Sequence, residues 1–199
     1  VEAYRDAFPE LFADFEDMPE GLEEHLRYPE DLFRVQTNMW AQYHIGDAQD
    51  FYEQPDGWEV AQDPGTDVTG AAQTETRNEQ GQVVSTRERR IDPYYLQMRL
   101  PDRDNEEFLI LRSFVPVSDN DERKQLTSFM VGLSDPEDYG QLRVYEMPNL
   151  NVDGPAIVNA NMLQNENAAS RLSLLNQQGA TVKPGRRLPT PIEDTPLYV

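Results

Sequence analysis

Histidine, serine and paired carboxylates are the side chains of this sequence that could carry out a reaction. The 199 residues contain two histidines, His25 and His44, and no cysteine. A thiol nucleophile, a disulfide framework and a cysteine zinc site are therefore excluded. An imidazole is the group best suited to moving a proton near neutral pH. The separation of His25 from His44 fits neither HExxH nor another metal-pair spacing. A Ser-His-Asp triad would have to recruit Ser85, Ser113, Ser118, Ser128, Ser134, Ser170 or Ser173 through folding, and none of them stands in a GxSxG elbow. His44 follows an apolar helical pattern, where a protonated imidazole offsets the dipole at the C-terminal end. His25 lies at a corner, in His25-Leu26-Arg27-Tyr28-Pro29. Both positions suit capping and packing.

The chain has 37 Asp and Glu, so acidic pairs carry little information. Glycoside hydrolysis needs one particular pair at one particular separation, which sequence does not supply. Two acidic turns resemble calcium loops and fail as such. Asp119 and Asp121 are followed by Arg123 at position five and Met130 at position twelve. Asp102, Asp104 and Glu106 are followed by Glu107 where a loop needs glycine, and by Ser113 where it needs a bidentate carboxylate. Phosphate loops of the GxxxxGK[ST] and GxGxxG kinds are absent. Trp40, Trp58, Tyr94 and Tyr95 could line a groove for sugar or peptide, although aromatics at helix and strand spacing usually build core. The ligand-binding candidates are thus His25, Arg27, His44, Trp58 and Tyr94. No catalytic residue, metal ligand or cofactor is assigned.

Lys and Arg number 17 against those 37 acids, giving a formal charge of −20 and a sequence pI of about 4.3. Phosphate neutralisation needs a cationic surface, so nucleic acid is excluded as a partner. The same charge opposes docking on anionic lipid and keeps copies of the domain apart. It also accumulates cations nearby. Hydrophobic residues make up 38% and aromatics 10%, enough for a globular core despite a mean hydropathy of −0.74. No apolar run approaches the roughly 20 residues that cross a bilayer, and Val1 to Pro9 lacks the features of a signal peptide. The chain opens without Met and closes on Leu197-Tyr198-Val199, which reads as mid-strand. We therefore expect a piece of a longer protein. The lack of cysteine suits either redox compartment.

Three textures must position those residues: an aromatic-rich helical part (1–61) packing on the sheet, a polar loop (62–92), and a strand-rich part (93–199). Together they form one composite domain. The clearest helix spans about Pro29 to His44. Proline suits its first position, Glu30 and Asp31 its first turn, and Gly46 its end. Leu32, Val35, Met39 and Tyr43, widened by Phe33 and Trp40, form the stripe expected to face inward. Shorter helices are expected at Pro19 to Leu26 and in the opening AYRDAF. Tyr94 to Leu100 alternates as a strand with one buried face. Phe108 to Val115 is apolar on both parities except at Arg112 and Ser113, so it reads as central. Leu126 to Leu133 and Leu142 to Met147 follow. They are linked by SDPEDYG, one helical turn capped by Asp135. A helix starts at Asp153-Gly154-Pro155 and covers about 155–167. Ser170 to Asn176 either extends it or pairs with Ala180 to Leu188 through Gln178-Gly179, the hairpin being preferred. Short polar links between strands imply an α+β fold, mainly an antiparallel sheet with helices at the N-terminus.

Several strings occur in order: Phe8-Pro9-Glu10-Leu11-Phe12, Met18-Pro19, His25-Leu26-Arg27-Tyr28-Pro29-Glu30-Asp31-Leu32-Phe33-Arg34-Val35-Gln36 and Tyr43-His44. Trp58-Glu59-Val60-Ala61, Pro93-Tyr94-Tyr95, Asp135 to Gly140, Val152 to Pro155 and the closing LYV continue the series. With these the chain resembles uncharacterised protein family 0182, large bacterial membrane proteins. HLRYPEDLF is the most specific block. The resemblance implies several N-terminal transmembrane helices in the parent and a long soluble region, to which this chain would belong, outside the membrane. It implies that 62–92 varies in length, and it supplies no activity, cofactor or catalytic residue.

The expectation is a non-enzymatic extracytoplasmic module that binds an envelope protein or glycan, or covers the membrane-spanning part of its own polypeptide. Two alternatives stand beside it. One is an envelope hydrolase using a carboxylate pair, His25 or His44. The other is a cation-accumulating module beside a channel or transporter.

Overall fold

The computed structural model of the chain describes residues 2–53, 55–65, 73–77, 80–118, 122–147, 151–176, 182, 189–192 and 195–198. The fold is α+β. Its centre is a five-stranded antiparallel sheet built on β5 (Glu106–Pro116). One flank of β5 pairs with β6 (Ser128–Leu133), and β6 pairs with β7 (Leu142–Glu146). The other flank is shared by two strands. β1 (Trp58–Val60) takes the C-terminal third, with Val60 opposite Phe114. β4 (Tyr94–Arg99) takes the N-terminal half, with Tyr94 opposite Leu111. β5 is apolar on both parities because both of its faces are covered. Leu109, Leu111 and Val115 on one face and Ile110 and Phe114 on the other are all fully buried.

Between β1 and β4 the chain leaves the sheet and returns. The excursion contains an antiparallel hairpin, β2 (Gln73–Arg77) with β3 (Val83–Glu88), in the stretch expected to be a polar loop. Its base is clamped. Ala61 N donates to Ser113 O on β5 and Ile91 N donates to Ala61 O. Gln62 bridges Arg90 in antiparallel register. The Arg89 guanidinium donates to the Asp63 carboxylate, and Asp63 accepts the Gly65 amide.

The helix expected over Pro29 to His44 is α2 (Glu30–Tyr43), lying against β1 and β5. Its expected orientation is wrong. The buried positions are Phe33, Thr37 and Ala41, at spacings of four, while Leu32, Val35, Met39 and Tyr43 are each about half exposed. A polar lock decides this. Arg112 rises from β5 with 4% exposure and donates from Nη1 to Thr37 Oγ1 and Asn38 Oδ1, both at 2.9 Å, and from Nε to Ile91 O. A buried guanidinium left without acceptors would cost more than a stripe of hydrocarbon left in water. The Thr37 side of the helix therefore turns inward. Burial pulls the Arg112 pKa down to about 10, and the group stays charged at neutral pH.

HLRYPEDLF is the other anchor of α2. Tyr28 is buried, and its hydroxyl donates to Gln36 Oε1 at 2.7 Å. Its amide donates to Ser134 Oγ, and its carbonyl accepts the Tyr95 hydroxyl at 2.6 Å. Its ring crosses β6 at Gly132, where a Cβ would lie 3.0 Å from ring carbons and from Ile110. The opening helix is α1 (Glu2–Ala7), and α3 (Ala48–Glu53) follows α2. Pro19 to Leu26 holds only a 3-10 turn at Glu23–His25.

Two helices replace the single one expected near 155–167: α4 (Pro155–Gln164) and α5 (Glu166–Leu175). Asn165 ends the first and caps the second, its side chain accepting from Asn167 N and Ala168 N. Ser170 to Leu175 is therefore helical, and the preferred hairpin is overturned on that side. Apart from Val182, its other limb lies outside the described residues, as do Asp119 and Asp121 of the first acidic turn. Asp135 precedes the turn Pro136–Asp138 but does not cap it by its side chain, which accepts the Phe108 amide of β5 instead. β8 (Pro189–Ile192) and β9 (Thr195–Tyr198) form a second hairpin containing Leu197-Tyr198. Among the described residues no helix is long and apolar enough to cross a membrane.

Candidate functional site

The C-terminal half of α2 and the start of β1 meet at Trp58. The His44 imidazole lies on its ring, centroid to centroid 4.0 Å at 22°. Phe114 of β5 stacks at 6.0 Å, and Trp40 stacks on His44 at 6.4 Å. The result is an aromatic column from helix to sheet. His44 Nδ1 sits 3.1 Å from Trp40 O and 3.2 Å from Ala41 O. Both partners are carbonyls, so Nδ1 is the donor. The imidazole thus adds a side-chain donor at the C-terminal end of α2, where Trp40 O already accepts the His44 amide at 3.0 Å.

Two clefts open on either side of Trp58. One, of about 480 Å³, is lined by Asn38, Ala41, Gln42, Ile45, Gly57, Trp58, Glu59, Val60, Arg90 and Val117. Arg90 Nη2 donates to Glu59 Oε2 at 2.7 Å on its wall, with both side chains largely buried. Asn38 is held in place by Arg112. The second cleft, of about 310 Å³, is lined by Pro55, Asp56, Gly57, Trp58, Pro116, Glu122, Arg123, Gln125 and Thr127. Trp58 lines both clefts while stacking with His44 and Phe114. The polar groups lining the first cleft are the Asn38 and Gln42 amides, the Glu59 carboxylate and the Arg90 guanidinium.

The five candidates do not form one site. His44 and Trp58 come together. His25 is exposed on the turn before α2, at the opposite end of a 14-residue helix that is roughly 21 Å long at ~1.5 Å per residue. The two histidines therefore cannot share a substrate atom. Arg27 is exposed, and its guanidinium lies 5.6 Å from the centroids of both Tyr95 and Phe108. Those rings stack on each other at 5.8 Å, so Arg27 is a cation over an aromatic pair. Tyr94 is 4% exposed and belongs to the core. Reasoning from sequence missed Asn38, Gln42, Glu59 and Arg90. The available signal was Arg112 itself, since a lone arginine in a strand apolar on both parities must find partners.

Acidic residues of the β4–β5 turn and of the turn after β6 form a separate network. Tyr145 Oη donates to Asp102 Oδ1 at 2.5 Å, and Arg143 Nη1 donates to Asp102 Oδ2 at 2.6 Å. Arg103 joins Asp138 at 2.6 Å and Glu107 at 3.3 Å. The Tyr145 hydroxyl, helped by a backbone hydrogen bond and then by the Arg143 charge, holds the Asp102 carboxyl below its ordinary range against the effect of burial. Burial pushes Tyr145 up to about 12 and raises Glu107. These acids already have arginine or tyrosine partners. Among the described residues no group of three or more His, Asp or Glu side chains could hold a metal ion.

Comparison with known proteins places this sequence in a family. The profile of an uncharacterised protein family (UPF0182) matches residues 1–175. UPF0182 proteins of Microcystis aeruginosa and of Sulfurovum sp. are each 34% identical over 200 aligned positions, covering 100% of this chain and 18% and 19% of those proteins. That of Desulforamulus reducens is likewise 34% identical, with 19% of its length covered. The chain spans about a fifth of the length of the curated relatives it matches. No solved structure matches it. This chain belongs to the uncharacterised family UPF0182 and is part of a large protein.

Proposed function

We propose that the chain is an extracytoplasmic module of a large integral membrane protein, and that it binds or covers without catalysing a reaction. Its partners are the membrane-spanning part of the same polypeptide and an envelope protein or glycan. The observation that carries the non-catalytic half is the condition of His44. Its Nδ1 is committed to two helix carbonyls and its ring to Trp58, as befits a structural imidazole. The binding half rests on the cleft beside Trp58. There Asn38, Gln42, Glu59 and Arg90 present donors and acceptors in a space of about 480 Å³, the chemistry that suits a hydroxylated ligand.

The purified chain mixed with soluble envelope glycan fragments should shift the Trp58 indole and the Asn38 and Gln42 side-chain amide resonances, and leave the glycan intact. Glycan cleavage that disappears on replacing one side chain would overturn the non-catalytic reading. Sidedness is tested in intact cells with the full-length protein carrying Glu137→Cys. A membrane-impermeant maleimide should label that position before lysis; labelling only after lysis would place the module inside.

A further inference from the structure

α2 is an amphipathic helix with its larger apolar stripe facing outward. Leu32 is 49% exposed, Val35 59%, Met39 53% and Tyr43 54%. Tyr43 stacks on Phe51 of α3 at 5.9 Å, which lengthens the strip. Rotation cannot hide it, because the Arg112–Thr37 bond and the fully buried Phe33 fix the opposite face on the sheet. Other large apolar side chains are exposed elsewhere, Leu11 and Tyr52 among them, but this strip runs the length of a helix locked in place, and a contiguous apolar strip of that kind marks an interaction site. Charge narrows the occupant. At one end of the strip Glu30 and Asp31 share Arg34, and at the other Asp47, Asp50 and Glu53 stand exposed, so both ends are net acidic. A formal charge of −20 sets a second copy, or an anionic lipid surface, against the approach. Length supplies the candidate: about four fifths of the curated relatives lies outside the part this chain matches.

We infer that the strip formed by Leu32, Val35, Met39 and Tyr43 is the docking face for another segment of the same polypeptide, an apolar ridge with lysine or arginine at its ends. This rests on the chain being one part of a larger protein and is independent of membrane sidedness.

The test uses the full-length protein in permeabilised cells, so that access from either side is equal. p-Benzoylphenylalanine in place of Val35 should cross-link, on irradiation, to a peptide of the same molecule from outside this chain, with basic residues beside an apolar run. The same probe at Glu137 is the control. Adducts only to lipid, cross-links between two copies, or no yield above the control would each overturn the inference. The double substitution Val35→Glu, Met39→Glu should leave the melting temperature of the isolated chain unchanged. In the full-length protein it should raise proteolysis within residues 25–55 several-fold. A fall in the isolated chain's melting temperature, or unchanged proteolysis of the full-length protein, would also overturn it. Failure of maleimide to reach Glu137→Cys in intact cells would count against the outer location alone.

Discussion

Arg112 Nη1 donates to Thr37 Oγ1 at 2.9 Å, joining the middle of the sheet to the buried face of α2. Thr37 passes the bond on, its hydroxyl donating to Phe33 O at 2.9 Å. Thr37→Val keeps the shape and removes one acceptor of Arg112 Nη1, leaving Asn38 Oδ1 at 2.9 Å and the longer contact to Arg34 O at 3.3 Å. It should lower stability by about 1–3 kcal/mol, read from urea melts. Arg112→Ala, which removes a buried side chain and orphans several acceptors at once, should cost more. Equal stability of Thr37→Val and wild type would show that the hydroxyl is dispensable to the lock.

His44 contributes a ring face to Trp58 and a donor to α2. Phenylalanine keeps the first and loses the second, while alanine loses both. His44→Ala should be less stable than His44→Phe by about 1 kcal/mol, the size of an aromatic pair. It should also reduce the near-ultraviolet dichroism of the tryptophans. Equal melts for the two variants would remove the stack from the account of how α2 meets β1.

The Asp102–Tyr145 bond makes stability depend on pH. The carboxyl of Asp102 titrates below its ordinary value of 3.8 in the native state, so its contribution is present above about pH 4 and drains away as pH falls through the lowered native value. Asp102→Asn should melt below wild type at pH 6, with the gap closing as pH falls through the lowered native value. Glu107, raised by burial, acts with the opposite sign: its contribution is present below its ordinary range and lost as pH rises through the native value. It is common to both proteins and cancels in the difference. Tyr145→Phe should move the Asp102 titration, followed by carboxyl NMR, upward.

Gly154 is the N-cap of α4, where the chain presses on the approach to β6. A Cβ there would collide with Lys124 O, and Gly154 N donates to that same oxygen at 3.1 Å. Gly154→Ala should destabilise by about 1–3 kcal/mol and speed amide exchange at Leu126, whose N–H bonds to Val152 O. Gly46 would meet nothing within 4 Å of an added methyl, and should accept alanine within about 0.5 kcal/mol.

The sheet was legible because its strands carry the pattern on their own residues. Phe108 to Val115 is apolar on both parities, and Tyr94, Met98 and Leu100 alternate with exposed Gln97 and Arg99. The orientation of α2 was not. Periodicity reports that a helix has an apolar stripe, but not which surface covers it. Here Leu32, Val35, Met39 and Tyr43 outweigh Phe33, Thr37 and Ala41 in hydrocarbon, yet one cation on another element decides the matter. Asn165 is a residue type that caps helices, but the residues on both sides of it suit one longer helix, so the break is not distinct in the sequence. The cleft was hidden for another reason. Asn38 and Gln42 on α2, Glu59 on β1 and Arg90 near β4 converge only once the sheet has formed, and nothing in their spacing announces it.

The clamp formed by Ala61, Gln62, Asp63, Arg89, Arg90 and Ile91 has a consequence for how this protein tolerates change. The excursion departs and rejoins beside the same strand, with Val60 opposite Phe114 and Tyr94 opposite Leu111. Whatever is spliced in between cannot shift the pairing on either side. The β2–β3 hairpin therefore behaves like a fitting in a socket, open to lengthening, shortening or replacement by a reporter while the rest of the molecule keeps its shape.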